Sequence, residues 1–308
     1  MSPKKSVVLG TRGSKLALVQ ANACAERLRT SGLAVEIRVI KTTSEHRPNT
    51  PLSVIDQRDV FTRQLDEALL RGEIDLAVHS AKDVPTEVPR GIVLAALTRR
   101  HDPSDVLVSE EGYDVDGLPE GAVVATSSLR RRAQLLHRRP DLRIVEIRGN
   151  VDTRIRKVRE GTAEALVLAR AGLMRLRLDV PHTAIPTGIM LPAVSQGALA
   201  VATLGAHPLR DAIRKSLNDE ATEKVVRAER AMLNALEGGC RVPVGALGRT
   251  MDGPGVWLQG VVASPDGALL YRGEATGEEP EEVGRRLAWD LLEQGAEVVL
   301  AEIREVRS

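Results

Sequence analysis

Cys240 stands in the run Gly238-Gly239-Cys240-Arg241-Val242-Pro243. Two glycines free the backbone for tight or left-handed turns and Pro243 stiffens the exit, so the run reads as a loop that carries a thiol outward. Arg241 stabilises the thiolate, the form that attacks carbon. A lone cysteine is otherwise most often a small packed residue. That is the reading for Cys24, which lies inside an apolar-periodic stretch. Cys240 reads instead as a nucleophile or an attachment point. A second group of residues is cationic: Arg12 with Ser14, Lys82 beside Asp83, Thr126-Ser127-Ser128 with Arg130 and Arg131, then Arg148 and Arg154. Guanidinium forks match carboxylate or phosphate in bidentate fashion. No GxxxxGK[ST] run is present, which argues against a nucleotide site of that kind, and neither GxSxG nor HExxH nor a metal-ligand cluster occurs. The expected ligand is therefore a polyanion held by arginines. Two readings stay open for Asp83, a turn aspartate or a working carboxylate, and two for His79, structural or catalytic. Arg132, Arg138 and Arg139 read as solvated charge.

These residues fall where strands end. Residues 6–10 and 34–40 read as strands around a helix over 15–29, for which Ser14 is the expected N-cap. The stretch 41–59 is polar and irregular, with Pro48 and Pro51. A loop of this length is usually functional, and here it is expected to be mobile and to close over a ligand. A helix over 60–71, ended by Gly72, precedes strands at 74–79 and 91–97. After a polar connection at 98–105 the alternation repeats. Strands are expected at 106–109, 121–125, 143–147 and 164–169, and helices at 129–138, 151–160 and 170–178. Such alternation predicts parallel sheets covered on both faces. Residues 191–198 read as a second crossing, followed by a helical stretch to about 217 that returns to the first domain. From 219 the pattern changes to a helix over 220–236, strands at 244–250, 256–263 and 268–275, and a helix over 280–294. This is a small α+β domain with a mostly antiparallel sheet. In open α/β sheets ligands bind at the carboxyl ends of the strands, where helix N-termini favour anions. The fold class is thus α/β: two such domains around a cleft, plus a small C-terminal α+β domain.

Composition narrows the classes. The 308 residues include 2% aromatics and a single phenylalanine, Phe61, so the cores must be aliphatic and base-stacking surfaces are not expected. A formal net charge of +1 leaves no global field to attract nucleic acid. Two cysteines make no disulfide framework, Val7-Val8-Leu9 is too short for a secretory leader, and no run is long enough to span a membrane. A cytoplasmic location is expected.

With these residues placed, the chain resembles the hydroxymethylbilane synthases, also called porphobilinogen deaminases. The resemblance rests on seven ordered motifs: TRGSKLAL (11–18), AVHSAKDVP (77–85), RRHDPSDVLVS (99–109), TSSLRRRAQL (126–135), IRGNVDTR (147–154), LPAVSQGAL (191–199) and GGCRVPVG (238–245). It implies two domains of type II periplasmic-binding-protein topology, 1–98 with 198–217 and 104–193, and a third, 219–308, bearing a covalent dipyrromethane. It implies a transferase that joins four porphobilinogens head to tail with loss of ammonia, then releases linear hydroxymethylbilane by hydrolysis, in tetrapyrrole and haem biosynthesis. Carried over by motif, Cys240 is the thioether attachment point and Asp83 the catalytic carboxylate. Lys82, Ser128, Arg130, Arg131, Arg148 and Arg154 contact the cofactor, and Arg12, Ser14, Arg175 and Gln196 the substrate. No metal and no macromolecular partner is implied, and a monomer is expected.

The chain departs from the family pattern in two places. Ser195 stands where the family often has glycine before the glutamine. Gln57-Arg58-Asp59-Val60-Phe61 replaces a Gly-Lys-Gly-Leu-Phe run, and an upstream lysine has no counterpart at Ser53 or Val54. The rival class is a solute receptor or the effector domain of a regulator on the same two-domain fold, where Cys240 has no role. A different cysteine-dependent transferase lacks a histidine partner for the thiol. Intact mass separates the classes, because only the deaminase reading adds a covalent dipyrrole to the polypeptide.

Overall fold

In this computed structural model, which describes residues 6–41, 62–236 and 242–305, the chain divides into two compact units. The first comprises Met1–His101 with Ala198–Glu223, the second Asp102–Gly197 with Lys224–Ser308. The first unit is built on β1 (Ser6–Thr11), α1 (Lys15–Thr30), β2 (Ala34–Val39), α2 (Arg63–Leu70), β3 (Leu76–Ser80) and β4 (Ile92–Leu97). Strand alternation sorts the apolar side chains onto two faces. Val7, Leu9, Leu76 and Val78 pack with Ala21 and Leu28 of α1. On the other face Ala77 meets Leu65 and Leu69 of α2. Each fully buried leucine contributes about 2 kcal/mol of transfer free energy, so the core does without aromatics.

The second unit holds β5 (Asp105–Val108), β6 (Val123–Ala125), α3 (Leu129–Arg138), β7 (Arg143–Val145), α4 (Val151–Arg159), β8 (Ala165–Ala169), α5 (Arg170–Leu176) and β9 (His182–Ala184). The chain then supplies β10 (Leu199–Leu204) and α6 (Arg210–Leu217) to the first unit. The sheet orders are β2-β1-β3-β10-β4 and β7-β6-β8-β5-β9. Both sheets are mixed, where alternation predicted parallel ones. β10 runs antiparallel to β3 and β4, and β5 antiparallel to β8 and β9. Each reversed strand is the one that follows a crossing. It enters its sheet without the crossover helix that keeps βαβ strands parallel.

The segment 199–204 is thus a strand, not part of a helical stretch. Its alanines and leucines favour a helix locally, but its place between β3 and β4 buries both of its faces. The short β9 also carries too little pattern to be read from sequence.

The long helix α7 (Glu220–Ala235) leads to β11 (Val244–Thr250), β12 (Val256–Ala263) and β13 (Leu270–Gly277), an antiparallel sheet in that order. α8 (Pro280–Leu291) covers it, burying Leu287 and Leu291. Beyond α8, Gly295 takes φ 112° and breaks the helix before α9 (Glu297–Glu305), so the apolar run near 297–300 is helical.

Candidate active site

In the first unit the carboxyl ends of β1 and β3 lie side by side. The parallel register Gly10↔Ala77, carried on two residues, brings Arg12 level with His79. Ser14 caps α1, its Oγ accepting from Ala17 N at 3.3 Å, and Thr11 Oγ1 donates to Ala17 O. The chain turns sharply after β3 through Ala81–Asp83, and Ala81 N donates to Ala198 O at the mouth of β10. Arg12, Ser14, Lys82 and Asp83 are all half-buried at this edge. Gln20 Nε2 donates to Ser80 Oγ at 2.9 Å and steadies the end of β3. His79 is 6% exposed, and its pKa is pulled down to about 4, first by burial and then by the Arg12 charge. It is a neutral, packed imidazole at neutral pH.

In the second unit Ser127 Oγ donates to Ile147 O at 2.6 Å and accepts from Ile147 N, tying the turn after β6 to the turn after β7. Ser128 caps α3, its Oγ accepting from Arg131 N. Helical spacing then turns Arg130, Arg131 and Gln134 inward, while Arg132 is exposed. Both inward arginines reach Asp105, the fully buried first residue of β5: Arg130 Nη2 lies 2.8 Å from Oδ2, and Arg131 Nη2 2.8 Å from Oδ1. Arg130 Nη1 donates to Leu191 O, and Arg131 Nη1 to Val167 O. Gln196 Nε2 donates to Asp105 Oδ1 at 2.9 Å and to Pro103 O at 2.7 Å. Burial lowers the pKa of Arg130, and the Asp105 charge opposes that shift. Two guanidiniums and one carboxylate keep a net positive charge, held at the N-terminus of α3 where anions are favoured.

Arg148 and Arg154 flank the next turn. Gly149 takes φ 116°, and a Cβ there would fall 2.8 Å from Thr153 Cγ2, so only glycine fits. Its carbonyl accepts from Arg154 Nε at 2.8 Å. Arg148 is half-buried, with Nη2 3.8 Å from Glu146 Oε2. Arg175, on the short α5, donates through Nη2 to Gly197 O at 2.6 Å.

The structure therefore gathers Arg12, Ser14, Lys82 and Asp83 at one strand edge of the first unit, and Ser128, Arg130, Arg131 and Gln196 around one buried carboxylate in the second. Arg148 and Arg154 sit on the neighbouring turn. Cys240 and the stretch 42–59 lie outside the described residues. Asp105 escapes a reading by sequence. It is one aspartate at the head of an apolar run, and its partners stand 26 and 91 positions away. Glu229 of α7 escapes too: it is fully buried, accepting from Ser195 N at 2.6 Å and Gly248 N at 2.7 Å. The donor set at the second edge, all guanidinium, hydroxyl and amide, fits a ligand rich in carboxylates, as a pyrrole bearing acetate and propionate arms is. Among the described residues no cluster of His, Cys, Asp and Glu suits a metal ion.

Two family models match the chain. One, described as porphobilinogen deaminase, dipyromethane cofactor binding domain, covers residues 7–208; the other, porphobilinogen deaminase, C-terminal domain, covers 224–293. The porphobilinogen deaminase of Rubrobacter xylanophilus is 71% identical over 301 residues, 98% of either chain. That of Desulforudis audaxviator is 47% identical over 98% of this chain and 99% of its own. Among solved structures, the periplasmic VFT2 domain of Bordetella pertussis BvgS aligns with a TM-score of 0.42 at 18% identity, covering 74% of this chain and 92% of its own. The methionine-binding protein MetQ aligns at 0.44 and 14%, covering 68% and 89%.

Proposed function

The chain belongs to the porphobilinogen deaminase family, the dipyrromethane-dependent transferases of tetrapyrrole biosynthesis, and from that membership we propose how its residues divide the work. Cys240 anchors the cofactor as a thioether. Lys82, Ser128, Arg130, Arg131, Arg148 and Arg154 hold its carboxylates, and Arg12, Ser14, Arg175 and Gln196 serve the incoming porphobilinogen. When bound, the dipyrromethane supplies the electron-rich pyrrole carbon to which the first porphobilinogen is joined. Four substrates are condensed head to tail, each losing ammonia, and linear hydroxymethylbilane leaves by hydrolysis.

Asp83 carries the chemistry in this reading. Loss of ammonia from the substrate aminomethyl group leaves positive charge on the substrate pyrrole. A carboxylate beside it accepts from pyrrole N–H and stabilises that charge as it develops. The three-domain division at 1–98 with 198–217, 104–193 and 219–308 belongs to the same proposal, with Cys240 on the third domain. So do a monomeric state and a cytoplasmic location. No helix among the described residues is long and apolar enough to cross a membrane.

The observation that carries the reading is the buried Arg130–Arg131 pair sharing one carboxylate, a cationic seat with no phosphate-loop motif beside it. Intact mass tests the attachment. Wild-type protein should exceed the polypeptide mass by one dipyrrole. Cys24→Ser should keep that increment, since Cys24 is a buried core residue of α1 itself, and Cys240→Ser should lose it. Covalent pyrrole surviving in Cys240→Ser would sink the assignment, and a wild-type chain of bare polypeptide mass would favour a plain solute receptor.

A further inference from the structure

Asp105 is absent from every role given above, yet it is the one group that Arg130, Arg131 and Gln196 share. We infer that Asp105 is a positioning residue: it sets the direction and the charge of the arginine pair that receives the pyrrole carboxylates. The inference rests on the deaminase reading of the site.

The geometry is specific. Asp105 begins β5, and because β5 runs against β8, its first residue pairs with Ala169 at the carboxyl end of that strand. A side chain from the crossing at 102–105 is thereby placed beneath the α3 N-terminus, with no exposure to solvent. Its two oxygens are divided, Oδ2 to Arg130 and Oδ1 to Arg131, and Gln196 adds a third donor on Oδ1. Each arginine also has a nitrogen committed to a backbone carbonyl, Leu191 O or Val167 O. A guanidinium is a planar fork, so two such fixed bonds determine the plane of each head and the direction of its remaining N–H groups. One buried carboxylate against two buried cations leaves an excess of one positive charge, which an anionic ligand neutralises. A second carboxylate would cancel the attraction, and without the first the two guanidiniums would repel each other and turn apart.

A residue needed only for folding would change stability and nothing else. The test therefore uses Asp105→Asn, which keeps the shape and removes the charge, and Asp105→Glu, which keeps the charge and shifts it by one methylene. Three readouts are taken: thermal unfolding, the fraction of purified protein carrying the dipyrrole by intact mass, and KM against kcat for porphobilinogen on the loaded fraction. Loss of a charge-assisted contact corresponds to about tenfold or more in binding. Asp105→Asn is expected to carry cofactor on about a tenth of its molecules or fewer, and to raise KM about tenfold in the loaded remainder with a smaller change in kcat. Asp105→Glu is expected to lie between it and the wild type on both readouts. If Asp105→Asn does not fold, Asp105→Glu decides: intermediate loading and KM support the inference, and wild-type values overturn it. Full loading and an unchanged KM in a folded Asp105→Asn also overturn it, whatever the melting temperature. A wild-type chain without any dipyrrole mass would instead overturn the deaminase reading itself.

Discussion

Asp83 and His79 stand four positions apart and share one strand edge, yet they call for opposite chemistry. Asp83 is half-buried on a tight turn beside a lysine, open enough to meet a ligand. Asp83→Asn preserves shape and removes charge. It is expected to leave the Cys240-linked cofactor in place and abolish nearly all turnover, while Asp83→Glu keeps a small residue of activity because a displaced oxygen costs about 100-fold. Steady-state product formation on protein verified as loaded by mass is the measurement, and near-normal turnover in Asp83→Asn would remove the carboxylate from the mechanism. His79 works on stability. Its folded-state pKa of about 4 lies below the ordinary 6.5, so between those values the unfolded chain binds a proton that the folded one does not. Stability from this group is complete above pH 6.5 and falls as pH drops toward 4, by at most about 1.4 kcal/mol per pH unit. Urea unfolding at pH 7 and pH 5 should show a smaller loss for His79→Gln than for the wild type. Equal losses would place the pH dependence elsewhere.

At the scale of elements the crossing at 191–198 is tightly held. Ser195 is fully buried with φ 65°, the left-handed region that suits glycine, and its hydroxyl finds no hydrogen-bond partner among the described residues. Its N–H is held by Glu229, whose other oxygen takes Gly248 N of β11, so α7 fastens the crossing and the C-terminal sheet with one carboxylate. Relief of backbone strain and of a buried hydroxyl outweighs the extra freedom glycine gives the unfolded chain. Ser195→Gly should therefore raise unfolding free energy by about 1 kcal/mol. A fall in the denaturant midpoint at unchanged slope would show that the serine is supported in a way the hydrogen bonds do not reveal.

At the scale of the whole molecule, the second unit joins a mixed sheet to an antiparallel one through a few exact contacts. Arg272 of β13 donates to Thr187 O and Gly188 O, both at 2.6 Å, and His137 Nδ1 lies 2.9 Å from Gly267 O. Gly267, in the turn between β12 and β13, takes φ 79°, and a Cβ there would fall 2.5 Å from His137 N, against the backbone of the helix that carries Arg130 and Arg131. Gly267→Ala meets both a forbidden conformation and a rigid neighbour. It should cost about 2 kcal/mol or more, read as a lower thermal midpoint, and should lower cofactor loading because α3 is displaced. An unchanged midpoint would mean that the turn rebuilds freely.

Much of this was legible in the chain itself. Hydrophobic period and caps marked most helices and strands, including the Ser14 cap, because these signals act within a few residues. Arginines after strands without a phosphate loop pointed to a polyanionic ligand, and seven ordered motifs named the family that the comparisons show. What only the tertiary structure decided depends on partners far apart in sequence. The reversed sense of β5 and β10 follows from which unit each strand enters, and local propensity even favoured a helix for Leu199–Leu204. The neutrality of His79 follows from burial, and the left-handed backbone of Ser195 from a segment held by Glu229. Asp105 looked like a common aspartate at the head of a strand. It became the shared partner of two arginines and a glutamine only when antiparallel pairing brought the start of β5 to the carboxyl edge of β8.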